Sequence, residues 1–372
     1  VGPSFPSPPI PHPSPLTPGD RHTPMISILI IDDDDATRAR LRAQLEARGD
    51  MQVVAEAENP IVARRLLDRL TPDVITLDLL MPRMDGITFL QKLMAGRPMP
   101  VVVVSTITQE DAPACLDALA LGAVAVVGKV TLPHPRLWAR FGGELRRQVR
   151  AAAMSVPRQL GQRQAGSLLA AVGEQSRLRP VMMGASTGGT EALLSILSRL
   201  PKGSPPIAIV QHMPAGFTAS FAARLNDHSA VRVKEATDGD LLEPGVALLA
   251  PGHAHLEVTG SATRPTVILK ETARVNLHRP SVDCLFHSAA HLFGAEAVGV
   301  LLTGMGDDGA RGLAAMHAAG ATTLGQDQAS CVVYGMPAAA AARGACTTIA
   351  PLDAIPALLL QAAASQSLSA IA

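Results

Sequence analysis

A serine, a histidine and an aspartate each stand at a turn that ends a short apolar run, and this repetition limits the fold of the back half of the 372-residue chain. Ser186 lies in Gly184-Ala185-Ser186-Thr187-Gly188-Gly189, after the apolar residues 181–183 and before a helical pattern over 190–200. Gln211-His212-Met213-Pro214 follows the run 207–210, and Gly304-Met305-Gly306-Asp307-Asp308-Gly309 follows 298–302. Apolar runs of this length, bounded by turn residues, suit strands buried on both faces of a parallel sheet. In such a sheet, active sites form outside the carboxyl ends of the strands. A serine on a sharp strand-to-helix turn is held where its oxygen can attack, and glycines keep side chains out of the turn and the cleft. Together the three residues are the set a serine hydrolase needs.

Each segment taken alone has another reading. A glycine-rich turn opening a helix also cradles phosphates. A single histidine after a strand is more often a hydrogen-bonded structural residue, and Gly-Asp-Asp-Gly can be a plain turn. Against nucleotide binding, the Walker lysine and the GxGxxG spacing are both missing. The chain order Ser…His…Asp also differs from the Ser…Asp…His of common α/β-hydrolases.

The segments GASTGG, QHMP and TGMGDDG resemble the motifs of the chemotaxis protein-glutamate methylesterases (CheB). Further matches are LxPGxxxxAPGxxHL over 242–256, HRPSVD over 278–283 and QDxASCVVYGMP over 326–337. The resemblance runs from about position 180 to the end of the chain. It implies Ser186 as nucleophile, His212 as base and Asp308, not Asp307, as the residue that orients the histidine. It also implies Met305 as a candidate backbone oxyanion donor, and no cofactor for the esterase.

The front half carries a different chemistry. The apolar, largely β-branched run 26–31 ends in Asp32-Asp33-Asp34-Asp35, a second run over 73–77 ends in Asp78, a third over 100–104 ends in Ser105-Thr106, and a fourth over 123–127 reaches Lys129. Helical patterns fall between them at 38–45, 61–70, 87–94 and 114–119. Alternating strand and helix signals predict a doubly wound α/β domain. Carboxylates gathered at one sheet edge repel unless a hard cation lies among them, and Mg²⁺ suits oxygen ligands and neutralises an incoming phosphoryl group. Asp78 would then accept phosphate, with a hydroxyl and a lysine contacting its oxygens. This arrangement resembles a response-regulator receiver. The resemblance implies Asp32, Asp33 and Asp78 as metal ligands, Asp78 as phosphoacceptor, and Ser105 and Lys129 as phosphoryl contacts. Three positions depart from the pattern: Val130 stands where a proline is usual, Val126 where receivers often carry a switching aromatic, and Leu80, two residues after the acceptor, is more apolar than expected.

The expected fold class is therefore α/β, an N-terminal flavodoxin-like receiver followed by a Rossmann-like, parallel-sheet methylesterase domain. The expected division is a Pro-rich disordered tail over 1–24, a receiver over 25–140, an Arg/Gln/Ala-rich linker over 141–178, and a catalytic domain over 179–372. Residues 1–24 hold nine prolines, and Met25, just before the first strand-like run, is a candidate translation start. The basic segment around the linker reads as an interdomain connector, with docking to an acidic partner as the alternative.

A formal net charge of zero gives no pull toward nucleic acid, and no apolar run reaches the ~20 residues of a membrane span. Four scattered cysteines read as reduced thiols of a cytoplasmic protein. By the resemblance, the substrate is a glutamate methyl ester on chemoreceptors, the phosphodonor a chemotaxis histidine kinase, and glutamine deamidation a second activity. The non-enzymatic alternative is a phospho-regulated binding protein with a degenerate esterase fold.

Overall fold

The computed structural model describes residues 25–81, 85–106, 111–130, 134–155 and 178–364. The expected Pro-rich tail and positions 156–177 of the connector lie outside them. In the front half the chain runs β1 (Ile26–Ile31), α1 (Asp35–Glu46), β2 (Met51–Ala57), α2 (Pro60–Leu67), β3 (Val74–Leu77), α3 (Gly86–Gly96), β4 (Val101–Ser105), α4 (Ala112–Ala120), β5 (Ala125–Gly128) and α5 (Pro135–Ala153). The strands form one parallel sheet in the order β2-β1-β3-β4-β5. β1, β3 and β4 are almost wholly buried, so their apolar runs are uninterrupted, whereas β2 alternates buried Met51 and Val53 with exposed Gln52 and Val54. An edge strand with one wet face carries no continuous apolar run, and β2 is the strand that the run-based reading omits. Capping carboxylates and amides start the helices: Asp34 accepts from Thr37 N, Asn59 from Ile61 N and Val62 N, and Asp85 from Thr88 N.

The segment from 141 onward, expected to be linker, begins instead as helix: α5 continues through it to Ala153. The helix is amphipathic, and Phe141, Leu145, Val149 and Ala152 are buried against the receiver core. Arg146, Arg147 and Arg150, three of the arginines that give the segment its connector-like composition, are partly exposed on this packed helix.

The back half runs β6 (Val181–Ala185), α6 (Gly189–Leu197), β7 (Ile207–Gln211), α7 (Ala215–Asp227), β8 (Arg232–Glu235), β9 (Val246–Leu249), β10 (His255–Ser261), β11 (Arg264–Lys270), α8 (Val282–Phe293), β12 (Val298–Leu301), α9 (Ala310–Ala318), β13 (Thr322–Gln326), α10 (Met336–Ala342), β14 (Thr348–Ala350) and α11 (Ile355–Ala363). Seven strands form a parallel sheet in the order β14-β13-β12-β6-β7-β9-β8, and β10 and β11 pair as an antiparallel hairpin. Two apolar cores cover its faces, one beneath α6, α7 and α11 and one beneath α8 to α10. From β6 the chain moves to β7 on one side and later returns as β12 on the other. That reversal opens the crevice in which ligands of such sheets bind.

The two halves pack against each other through α4. Leu116 joins the catalytic core, Phe217 of α7 joins the receiver core, and Arg224 Nη1 lies 2.6 Å from Asp117 Oδ1.

Candidate active site

Three adjacent strands deliver the expected triad. Ala185 of β6 is level with Gln211 of β7, so Ser186 and His212 leave the sheet side by side, and β12 runs on β6's other flank. Ser186 is fixed through its backbone: its N–H donates to Thr303 O at 3.0 Å, and its carbonyl accepts from Gln211 Nε2 at 2.9 Å. Gly188 has φ +79, and a Cβ there would lie 2.5 Å from Val332 Cβ; a Cβ on Gly304 would lie 2.7 Å from that of Ser186. The turn works with glycine at both places because one needs left-handed backbone and the other a close approach.

His212 Nε2 bonds Asp308 Oδ2 at 2.8 Å. Asp308 is 1% exposed and accepts four further hydrogen bonds: from Asn276 Nδ2 and Ser281 Oγ at 2.7 Å each, from Val282 N at 2.7 Å and from Asp283 N at 3.4 Å. Burial would raise the Asp308 pKa, but hydrogen bonding from His212, its charge, and the bonds from Asn276 and Ser281 outweigh burial and hold the carboxyl well below the usual range. Asp307 is half exposed, and its nearest cation is Arg343 at 3.9 Å. The neighbouring aspartates therefore have unlike surroundings, and only Asp308 meets the histidine.

With Nε2–H committed to Asp308, Nδ1 of His212 is the basic nitrogen. It is buried without a hydrogen-bond partner. Among the described residues no hydrogen bond joins Ser186 Oγ to it, so the structure makes the His–Asp arm of the triad and leaves the Ser–His arm unmade. The backbone N–H groups of Thr187 and Met305 also donate to nothing among the described residues.

Sequence reasoning missed the residues that hold this constellation. His278 stacks on His212 with ring centroids 3.7 Å apart and planes 4° from parallel. Burial, then the His212 and Arg147 charges, push its pKa down to about 2. The stack is presented by a tight turn in which Val275 and His278 exchange backbone hydrogen bonds of 3.0 and 2.8 Å across Asn276 (φ +50) and Leu277 (φ +70). A leucine in left-handed backbone is strained, and such strain clusters at functional sites. The motif HRPSVD flagged this stretch, but nothing in it distinguished a stacking histidine from a loop residue. Because His278 stays neutral well above pH 2 and Asp308 stays ionised, only one proton should govern the acid limb. We expect the acid limb of log(kcat/KM) to have a limiting slope of one, levelling off as pH rises. A slope of two in a pH–rate profile would show a second titrating group.

The receiver lies directly over this site. Val126 of β5 and Gln148 of α5 line a cavity of about 50 Å³ with Ser186, Thr187 and His212. The receiver side chains thereby narrow the space beside the nucleophile. A second, larger cavity of about 500 Å³ continues between the domains past His212 and His278 to Arg274 and Arg279.

Just past the carboxyl ends of β1 and β3, Asp32, Asp33 and Asp78 bring carboxylate oxygens within 4.8 Å of one another. Lys129 Nζ bridges Asp32 Oδ2 at 2.7 Å and Asp78 Oδ2 at 2.6 Å. Burial raises the Asp32 pKa. Burial would lower that of Lys129, but its bonds to both aspartates win and raise it. Ser105 Oγ is buried with no hydrogen-bond partner. A buried orphan hydroxyl beside a cluster of hard oxygens fits a site built for Mg²⁺ and a phosphoryl group.

Residues 181–359 match the CheB methylesterase family, and residues 28–137 match the response regulator receiver domain. The protein-glutamate methylesterase/protein-glutamine glutaminase of Nitrosomonas europaea is 47% identical over 335 residues, spanning 88% of this chain and 94% of its own length. That of Chromohalobacter salexigens is 45% identical over 340 residues, spanning 91% and 96%. A crystal structure of the Thermotoga maritima CheB methylesterase catalytic domain is 38% identical, covers 49% of this chain and 97% of its own, and aligns with a TM-score of 0.48.

Proposed function

Because the chain belongs to the CheB family of receiver-bearing protein-glutamate methylesterases, we propose that Ser186, His212 and Asp308 hydrolyse glutamate methyl esters on chemoreceptors, under control of phosphorylation at Asp78. The observation that carries this reading is the His212–Asp308 bond formed between the ends of strands flanking the Ser186 turn. The family is one of enzymes, and the degenerate, non-catalytic alternative finds no support in the site.

The chemistry follows from the atoms. Nδ1 of His212 takes the Ser186 proton as Oγ attacks the ester carbonyl, and Asp308 holds the tautomer and stabilises the imidazolium. The carbonyl oxygen gains negative charge beside the Thr187 and Met305 N–H groups, and such preorganised donors are worth ~3–4 kcal/mol. His212 returns the proton to the departing methoxide, releasing methanol and leaving an acyl-serine. The same nitrogen then takes a proton from water, whose oxygen displaces Ser186 and leaves a glutamate. With a receptor glutamine the leaving group is ammonia, which makes deamidation a second activity of the same site.

On the receiver, Asp78 is the phosphoacceptor, and Ser105 and Lys129 contact the phosphoryl oxygens. Asp32, Asp33 and Asp78 would hold Mg²⁺, which supplies charge neutralisation for the incoming group. The phosphodonor is a chemotaxis histidine kinase. Free cysteines and the lack of a membrane-length apolar helix among the described residues support a cytoplasmic setting. Membranes carrying radiolabelled methylated receptors should yield volatile methanol when the protein is added, and none would reject the reading. A small phosphodonor with Mg²⁺ should raise that rate severalfold, since ~1.4 kcal/mol of bias toward an uncovered site is a tenfold change in population. Asp78→Asn should lose the response.

A further inference from the structure

The receiver does more than cover the Ser186 cleft: the side chain it inserts is a glutamine. Gln148 projects from α5 into the small cavity shared by Ser186, Thr187 and His212. Thr187 Oγ1 donates to its Oε1 at 3.2 Å, and its Nε2 donates to Glu144 Oε1 at 2.7 Å, one helical turn back. The carboxamide oxygen is thus bound by the residue immediately after the nucleophile, the position whose N–H serves the oxyanion in comparable strand-turn-helix sites. A carboxamide and a methyl ester share the same planar acyl group and acceptor oxygen, differing only in the group that leaves.

We propose that Gln148 is an internal substrate surrogate that occupies the glutamyl subsite, and that the Thr187 hydroxyl positions the acyl oxygen of the true substrate there. The proposal rests on the hydrolase reading above and goes further, because it states how the substrate is presented. The occupant is a helix that offers a glutamyl-type side chain to Ser186 with an acidic residue one turn ahead. Glu144 faces the larger cavity, which Arg274 and Arg279 of the catalytic domain also line. The surrogate itself is not turned over in this arrangement, because the Ser–His arm of the triad is unmade. Inhibition and substrate recognition then share one subsite and one hydroxyl.

A pair of positions tests this in the full-length protein. Gln148→Leu, and Gln148→Met as a second variant, keep side-chain bulk and remove the carboxamide. Either should raise the unphosphorylated demethylation rate about fivefold, the worth of one net hydrogen bond, and change the phosphorylated rate less than about twofold. Thr187→Val should raise the receptor KM of the phosphorylated enzyme about fivefold. In its background Gln148→Leu should have little further effect on the unphosphorylated rate, because the two groups act as one contact. A plug acting by bulk alone would leave the Leu and Met variants as slow as the parent, and that result overturns the proposal. So does an unchanged KM in Thr187→Val. The phosphorylated parent separates the failures: no methanol from it overturns the hydrolase reading and the surrogate together, while a normal rate with unresponsive Gln148 variants overturns the surrogate alone.

Discussion

Ser186→Ala is expected to lower methanol release by a factor on the order of 10⁶ while leaving the fold intact. The hydroxyl is the only group lost. The turn is held by Ser186 N to Thr303 O and by Gln211 to the Ser186 carbonyl, and neither bond uses the side chain. The Cβ that packs beside Gly304 is retained. A urea titration should therefore place the variant within about 1 kcal/mol of the parent, the net worth of one hydrogen bond. Turnover near the parental rate in that variant would remove Ser186 as nucleophile. Partial loss of both activity and stability would mean that the turn, rather than the chemistry, had been damaged.

Asp308→Asn is the second large effect, and its neighbour is the control. Five donors converge on the Asp308 carboxylate, and an asparagine side chain must turn an NH₂ toward some of them. With His212 Nε2 no longer given a charged acceptor, the ring is free to adopt the other tautomer, which places a proton on the nitrogen that should act as base. A wrong tautomer costs about 10⁴ in kcat in the serine protease triad, and a loss of that order is expected here. Asp307→Asn, in a half-exposed side chain 3.9 Å from Arg343, should stay within about twofold, since exposed pairs contribute little. Kinetics of the two purified variants decide between adjacent positions. A damaging Asp307→Asn beside a mild Asp308→Asn would shift the triad by one residue.

Much of this architecture is legible in the residues because both domains are parallel sheets. Strands buried on both faces leave continuous apolar runs, so β1, β3, β4, β6, β7 and β12 can be read directly, and so can the polar residues just past their ends. What cannot be read has a physical cause in each case. β2 is an edge strand whose alternation resembles a surface segment. α5 is cut by the expected boundary at 140 because its arginine-rich face outweighs the spaced Phe141, Leu145 and Val149 on the other. Gln148 carried no signal at all, since its partner Thr187 is 39 positions away and belongs to another domain. His278 lies in the HRPSVD stretch that the sequence does flag, but its stacking on His212 depends on a strained turn that the sequence does not reveal. Val126, noted only as the missing aromatic of a receiver, lines the cavity over Ser186 and so stands at the interface that phosphorylation must rearrange.

The unphosphorylated receiver, with α5 included, sits on the esterase site, and phosphorylation is expected to uncover it. Because α5 carries Gln148 and ends at Ala153, the informative truncation removes residues 1–155. The remaining sheet keeps both of its apolar cores apart from Leu116 and Leu119 of α4. The direct measurement is the initial rate of methanol release from methylated receptor membranes, compared among the truncated protein, the unphosphorylated full-length protein and the full-length protein with phosphodonor and Mg²⁺. The truncated protein should release methanol at least as fast as the phosphorylated one, and both about tenfold faster than the unphosphorylated one. A truncated protein no faster than the unphosphorylated full-length chain would contradict the covering of Ser186 as the means of control, and would leave recruitment to the receptor as the receiver's contribution.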